Sequence, residues 1–168
     1  SHLSASTIAS VSIDVSAALG QITAEDVFAP HPLPDFQRTT VDGYAVRARD
    51  TFGATDSLPA YLNLIGEVPM GDSPSFEIGA GQCALIHTGG MLPNGADAVV
   101  MLEYTQAIVG AGSPRPDSEI EIFKSVADGE NLIRIGEDVA QNQLVIPKGT
   151  QIRPAEIGGL MALGITTV

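Results

Sequence analysis

Asp42 with Gly43, Thr88 with Gly89, Glu103, and the run from Arg134 to Asp138 are the places where residue type and spacing could do chemistry. Asp42 lies between a proline-stiffened loop and the apolar stretch Tyr44-Ala45-Val46, which places it at the rim of a strand, with Gly43 freeing the backbone to turn. A carboxylate so placed can ligate a hard cation, because magnesium is typically held by one or two carboxylates plus waters and substrate phosphates. An Asp-Gly pair is equally a common turn that caps its own backbone. Thr88 sets a hydroxyl beside the amides of Gly89 and Gly90, a combination that can contact an anion or simply satisfy a turn. Gly136-Glu137-Asp138 puts adjacent carboxylates after a glycine, where they could share a cation or point apart into water. Asp138 is favoured for function and Glu137 for a salt bridge or cap. Glu103 closes an apolar run and reads as a ligand contact or an exposed strand end. His87 shows no partner at useful spacing and is set aside as a general base.

Composition narrows the class of ligand. Of the 168 residues 44% are apolar, enough for a core, and no apolar run approaches the ~20 residues that a membrane-spanning helix needs. Twenty acidic residues against eight basic ones give a formal net charge of −12, which argues against nucleic acid or an anionic membrane as partner. A phosphate-bearing ligand would need a cation or another domain to offset that charge. Cys83 is the only cysteine, so an internal disulfide is excluded, and its setting Gln82-Cys83-Ala84-Leu85-Ile86 reads as a buried strand with an inert thiol. Neither Gly89-Gly90 nor Gly158-Gly159 has the spacing of a phosphate-binding loop. The chain is expected to be cytoplasmic, and Ser1-His2 reads as the remnant of a cleaved tag.

Periodicity supplies the elements that must position these residues. Val11, Ile13 and Val15 alternate as a short strand, followed by a helical turn capped by Ser16 and closed by Gly20. Pro30, Pro32 and Pro34 hold an extended hinge or crossing strap. Residues 61–68, 82–87, 98–109 and 119–126 read as strands, and the loop 110–118 as the most mobile connection. After a short strand at 143–146, Pro154 opens a helix whose apolar side is Ile157, Leu160, Met161 and Leu163. Gly158 and Gly159 weaken that helix by roughly 1 kcal/mol each, which predicts close packing by another backbone. Residues 165–168 begin a strand that stops as if cut.

Four segments taken in order, Leu33 to Arg47 with Asp42-Gly43-Tyr44-Ala45, Thr88 to Glu103, Asn131 to Val139, and Gly149 to Gly164, resemble the N-terminal half of the MoeA / gephyrin E-domain family, the molybdopterin molybdenumtransferases. The resemblance runs from about Val11 to Val168. It implies an α+β, mostly β fold: a β-rich linker lobe, residues 46–138, inserted into a small α/β dimerisation lobe made of 1–45 and 139–168. A C-terminal catalytic α/β domain would lie beyond this chain, and much of the family's leading helix before it. The implied enzyme is a homodimer that inserts molybdate into adenylylated molybdopterin, with this part inactive alone.

Carried over residue by residue, the resemblance implies catalytic roles for Asp42, Thr88 and Asp138 and substrate contacts from Gly43, Gly89, Glu103, Arg134 and Glu137. Asp42 and Asp138 would be magnesium ligands. Arg38, Thr40 and Val41 stand where the family usually has Asn, Ala and Met. Gly90 replaces an alanine, and Ile133 replaces an arginine that Arg134 follows by one position. The alternative is a non-catalytic scaffold or protein-interaction module of gephyrin-like type. A stand-alone hydrolase built on Asp42, Glu103, Glu137 and Asp138 is a weaker third reading.

Overall fold

The computed structural model describes residues 9–108, 116 and 118–168. Ser1-His2 and nearly all of the 110–118 loop lie outside the described residues. Among those described, the strands are β1 (Val27–Phe28), β2 (Arg38–Thr39), β3 (Gly43–Val46), β4 (Ala60–Val68), β5 (Gln82–Ile86), β6 (Ala98–Met101), β7 (Thr105–Ile108), β8 (Glu119–Ile122), β9 (Leu132–Ile133) and β10 (Leu144–Ile146), with one α-helix, α1 (Pro154–Ala162). The fold is mostly β, as the sequence implies. No helix among the described residues is long and apolar enough to cross a membrane. Contacts divide the chain into two compact units, Phe36–Ile135 and the pair Ser1–Asp35 with Gly136–Val168.

The unit Phe36–Ile135 is built on a six-stranded sheet in the order β6-β3-β5-β4-β8-β7. Every pairing is antiparallel except β4 with β5, whose link, residues 69–81, is long enough for the crossover that parallel neighbours require. β6 and β7 occupy opposite borders of this order, yet only a 3-10 turn at Leu102–Tyr104 separates them in the chain. The segment 98–108 therefore pairs with β3 through its first half and with β8 through its second, which rolls the sheet toward a closed barrel. The sequence reading had one strand over 98–109, and the turn at Leu102–Tyr104 is what breaks it.

Tyr44, Val46, Leu62, Leu64, Cys83, Ala98, Val100, Ile120 and Ile122 fill the interior. A second cluster, Ala45, Val68, Ile86, Leu92 and Val99, packs on the other face with Val41, Phe76 and Leu132. β3 and β6 are thus buried on both sides and carry continuous apolar runs, whereas β4 and β8 alternate. Gly43 does not turn the chain as the sequence suggests. It lies inside β3 with an ordinary backbone conformation, and a Cβ there would overlap the Val100 carbonyl of β6. Close approach of two strands, rather than turning, requires the glycine.

In the other unit, β1 pairs with β10, and Ile13 exchanges backbone hydrogen bonds with Val168 at 2.8 and 2.9 Å. Val15, Ile146 and Leu160 form its core, with Val27, Ile157 and Ile165 packed around them. Asp14, not Ser16, caps the first turn, Val15–Ala17, by accepting from the Ser16 amide. The proline strap is pinned at Leu33, whose amide donates to the Val139 carbonyl at 2.8 Å. α1 starts at Pro154, and the Glu156 carboxylate accepts from the Arg153 amide at 3.0 Å. Leu160 and Leu163 are buried as expected, but Met161 is 62% exposed. Gly158 and Gly159 are open as well: a Cβ at either would meet nothing within 4 Å, so no backbone among the described residues packs closely there.

Candidate functional site

One end of the six-stranded sheet gathers Asp42, Thr88 and Glu103, three of the six candidate side chains. β3 runs antiparallel to β5 and β6, and β4 runs parallel to β5, so the start of β3 lies with the finishing ends of β4, β5 and β6. Asp42, Glu67, His87, Thr88 and Glu103 sit at these ends. One register step beyond the Gly43 to Ile86 pair sets Asp42 across from His87.

Asp42 is held from several directions. Its Oδ1 accepts from the Thr88 amide at 2.8 Å and from the Thr88 hydroxyl at 3.0 Å. Its carbonyl accepts from the Leu102 amide at 3.2 Å, which ties it to the turn carrying Glu103. On its other flank Thr39, 1% exposed, donates its hydroxyl to the Val41 carbonyl at 2.8 Å, and Val41 is anchored in the second core cluster. The Thr40 amide donates to the Asn131 carbonyl at 2.9 Å. These bonds hold the carboxylate on a rigid element, the arrangement a site residue requires. The two bonds from Thr88 lower the Asp42 proton affinity below the ordinary carboxylate range, with a smaller contribution from nearby His87, so it is charged at neutral pH. Oδ2 has no protein hydrogen bond among the described residues.

The turn after β5 is closed on itself. Gly89, at φ +82°, donates its amide to the Thr39 carbonyl at 2.9 Å, and the Gly90 amide donates to the His87 carbonyl at 2.8 Å. With the Thr88 amide committed to Asp42, all three amides that could cradle an anion are engaged within the protein. Thr88 therefore acts on Asp42 by orienting it.

His87 does have a partner. Its Nε2 lies 2.7 Å from Glu67 Oε1, twenty positions earlier in the chain. Sequence reading missed this pair, and the reason is a bulge in β4. Leu62 and Leu64 face the interior, so simple alternation would turn Glu67 the other way. The register shift between Leu64 and Gly66 reverses the alternation and pairs Glu67 with Leu85. His87, two residues past Leu85, falls on the same face.

The remaining candidates are more dispersed. Arg134 follows β9, and its guanidinium lies beside Gly129. Glu137 and Asp138 belong to the other unit, on the exposed turn after Gly136, where the Asp138 amide donates to the Leu33 carbonyl at 3.0 Å. Among the described residues no group of three or more His, Cys, Asp or Glu side chains is placed to hold a metal ion. Cys83 is fully buried, and burial pushes its thiol up to about 12, so it is inert as expected.

The family model described as the MoeA N-terminal region (domain I and II) matches residues 1–164. The chain belongs to the MoeA family. A Methanocaldococcus jannaschii protein named for molybdopterin biosynthesis is 41% identical over 93% of this chain and 35% of its own length. The molybdopterin molybdenumtransferase of Bacillus subtilis is 35% identical over 90% of this chain and 34% of its own. A crystal structure of the Pyrococcus horikoshii molybdopterin biosynthesis MoeA protein matches with a TM-score of 0.85 at 39% identity, covering 94% of this chain and 38% of that one. The chain thus spans about a third of the length of the MoeA relatives it matches.

Proposed function

We propose that this chain is the N-terminal portion of an enzyme that inserts molybdate into adenylylated molybdopterin, and that the sheet end bearing Asp42 contributes to its site. The supporting observation is the Asp42 carboxylate itself, held twice by Thr88, charged, and left with Oδ2 unbonded, in a chain of the MoeA family. Asp42 is the acting group, Thr88 its positioning residue, and Gly43 and Gly89 the backbone that brings the two strand ends together. Glu103 and Arg134 would supply further contacts from the same unit, residues 36–135, and Glu137 and Asp138 are candidate contacts within their own unit.

A magnesium ion fits Asp42 only as a one-carboxylate ligand set completed by water and substrate oxygens, the usual manner for this metal. Asp138 is the alternative anchor for such an ion. When bound, the ion would polarise a phosphoryl oxygen and offset the negative charge of the chain. The working protein would be a cytoplasmic homodimer that includes the rest of the relatives' length, and this segment alone would be inactive.

Asp42→Ala, made in the protein at its relatives' full length, should abolish molybdenum insertion while leaving circular dichroism and melting temperature unchanged. Insertion at the unmodified rate would sink the proposal.

A second reading is a non-catalytic scaffold. It is favoured by the local use of Asp42 Oδ1 as a turn cap and by the 33% identity to gephyrin of Dictyostelium discoideum over 93% of this chain and 22% of that protein. Titrating magnesium and molybdopterin against Asp42→Ala and Asp138→Ala separates the two. Unchanged affinity in both variants supports the scaffold.

A further inference from the structure

The sheet end that presents Asp42 also presents a histidine held by a carboxylate, and the function proposed above does not use it. His87 Nε2 lies 2.7 Å from Glu67 Oε1, with the two side chains 35% and 53% exposed. A carboxylate only accepts, so Nε2 carries the hydrogen and donates to Glu67. Nδ1 is left as the ring's second polar atom, without a protein partner among the described residues. The backbone at this point is fixed too, because the His87 carbonyl accepts the Gly90 amide and the next residue is bound to Asp42.

The chemistry of the surrounding side chains gives His87 a distinct place. Asp42, Glu67 and Glu103 at the neighbouring strand ends are acceptors. The Thr88 hydroxyl and amide are spent on Asp42, and the Gly89 and Gly90 amides are spent within the turn. Of these groups the imidazole alone has a polar atom left over that can donate: in its imidazolium form Nδ1 carries a hydrogen for a phosphoryl oxygen. Fixing one ring nitrogen with a carboxylate sets the orientation of the other, as a carboxylate does for catalytic and metal-bound histidines. A solvated ion pair with no further role would contribute little to stability and would need no such alignment with Asp42.

We propose that His87, oriented by Glu67, is a ligand-contacting residue of this site and binds a phosphate group of the substrate through Nδ1. This rests on the reading that the sheet end handles a phosphorylated pterin. Glu67 is a positioning residue that acts through the imidazole.

The test is calorimetric titration of molybdopterin, as its phosphate monoester, into the protein at its relatives' full length. Variants are His87→Ala, His87→Gln, Glu67→Gln, the double variant H87A/E67Q, and Asp42→Ala, each first checked for an unchanged melting temperature. His87→Ala should weaken binding about tenfold, and in turnover should raise KM with little change in kcat. Glu67→Gln should weaken binding less, and the double variant should bind no more weakly than His87→Ala alone, because Glu67 acts only through the ring. Should His87→Ala fail to fold, His87→Gln carries the measurement. Binding within twofold of the unmodified protein in the His87 and Glu67 variants, with loss in Asp42→Ala, would reduce the pair to a surface ion pair and overturn the proposal. Unchanged binding in every variant, Asp42→Ala included, would remove the site itself and overturn both readings.

Discussion

Asp42 and Thr88 are joined twice through a single carboxylate oxygen, by an amide at 2.8 Å and a hydroxyl at 3.0 Å. Thr88→Val deletes the hydroxyl and keeps the amide. The Asp42 pKa should then rise toward the ordinary carboxylate value without reaching it, since the amide bond is the larger of the two causes. A pH titration of the Asp42 carboxyl carbon by NMR reads this directly, and an unmoved midpoint would mean that the hydroxyl bond is not formed in solution.

Gly43→Ala places a methyl group against the Val100 carbonyl oxygen. Because the obstacle is backbone inside a two-sided core, the strands must separate rather than a side chain rotate. A loss of about 1–3 kcal/mol is expected, the range for overpacked interiors. Urea denaturation should show a lower midpoint, and binding at Asp42 should suffer with it.

Gly158→Ala and Gly159→Ala go the other way. Neither Cβ meets a neighbour, so each should stabilise α1 by about 1 kcal/mol and raise the melting temperature. A lower melting temperature would show that something covers this face of the helix in the protein tested.

Glu156 yields a pH prediction. Its hydrogen bonds to the Arg153 side chain, the largest cause, bring its pKa from 4.5 to about 2. A depressed folded-state pKa means that the contribution is complete above the unfolded value and is lost as pH falls through the folded one. Glu156→Gln should therefore reduce the dependence of stability on pH between about 4.5 and 2. Chemical denaturation across that window measures it, and parallel curves for the two proteins would refute the assignment.

The family was legible in the sequence because four separated segments keep their order, and the mostly β character was legible in the alternation of β4 and β8. Asp42 was legible as a residue at the rim of a strand. The reason for Gly43 was not, because a sequence shows that Cβ is missing and not which neighbouring strand needs the space. The Glu67 to His87 pair was hidden by the bulge between Leu64 and Gly66, which reverses the facing of everything after it and leaves no local mark in residue type. Gly158 and Gly159 invited an inference of close packing that the open surface of α1 does not support.

The stretch 98–108 stitches both borders of one sheet. Its two halves can be secured only after β3 and β8, separated by more than seventy positions, have been drawn to the same place, so this seam should zip late and slow the folding of the unit. Once sewn, it shields the border backbones of β3 and β8 from pairing with another molecule. A backbone cut between Leu102 and Tyr104 would release both margins together and convert the rolled sheet into an aggregation-prone ribbon.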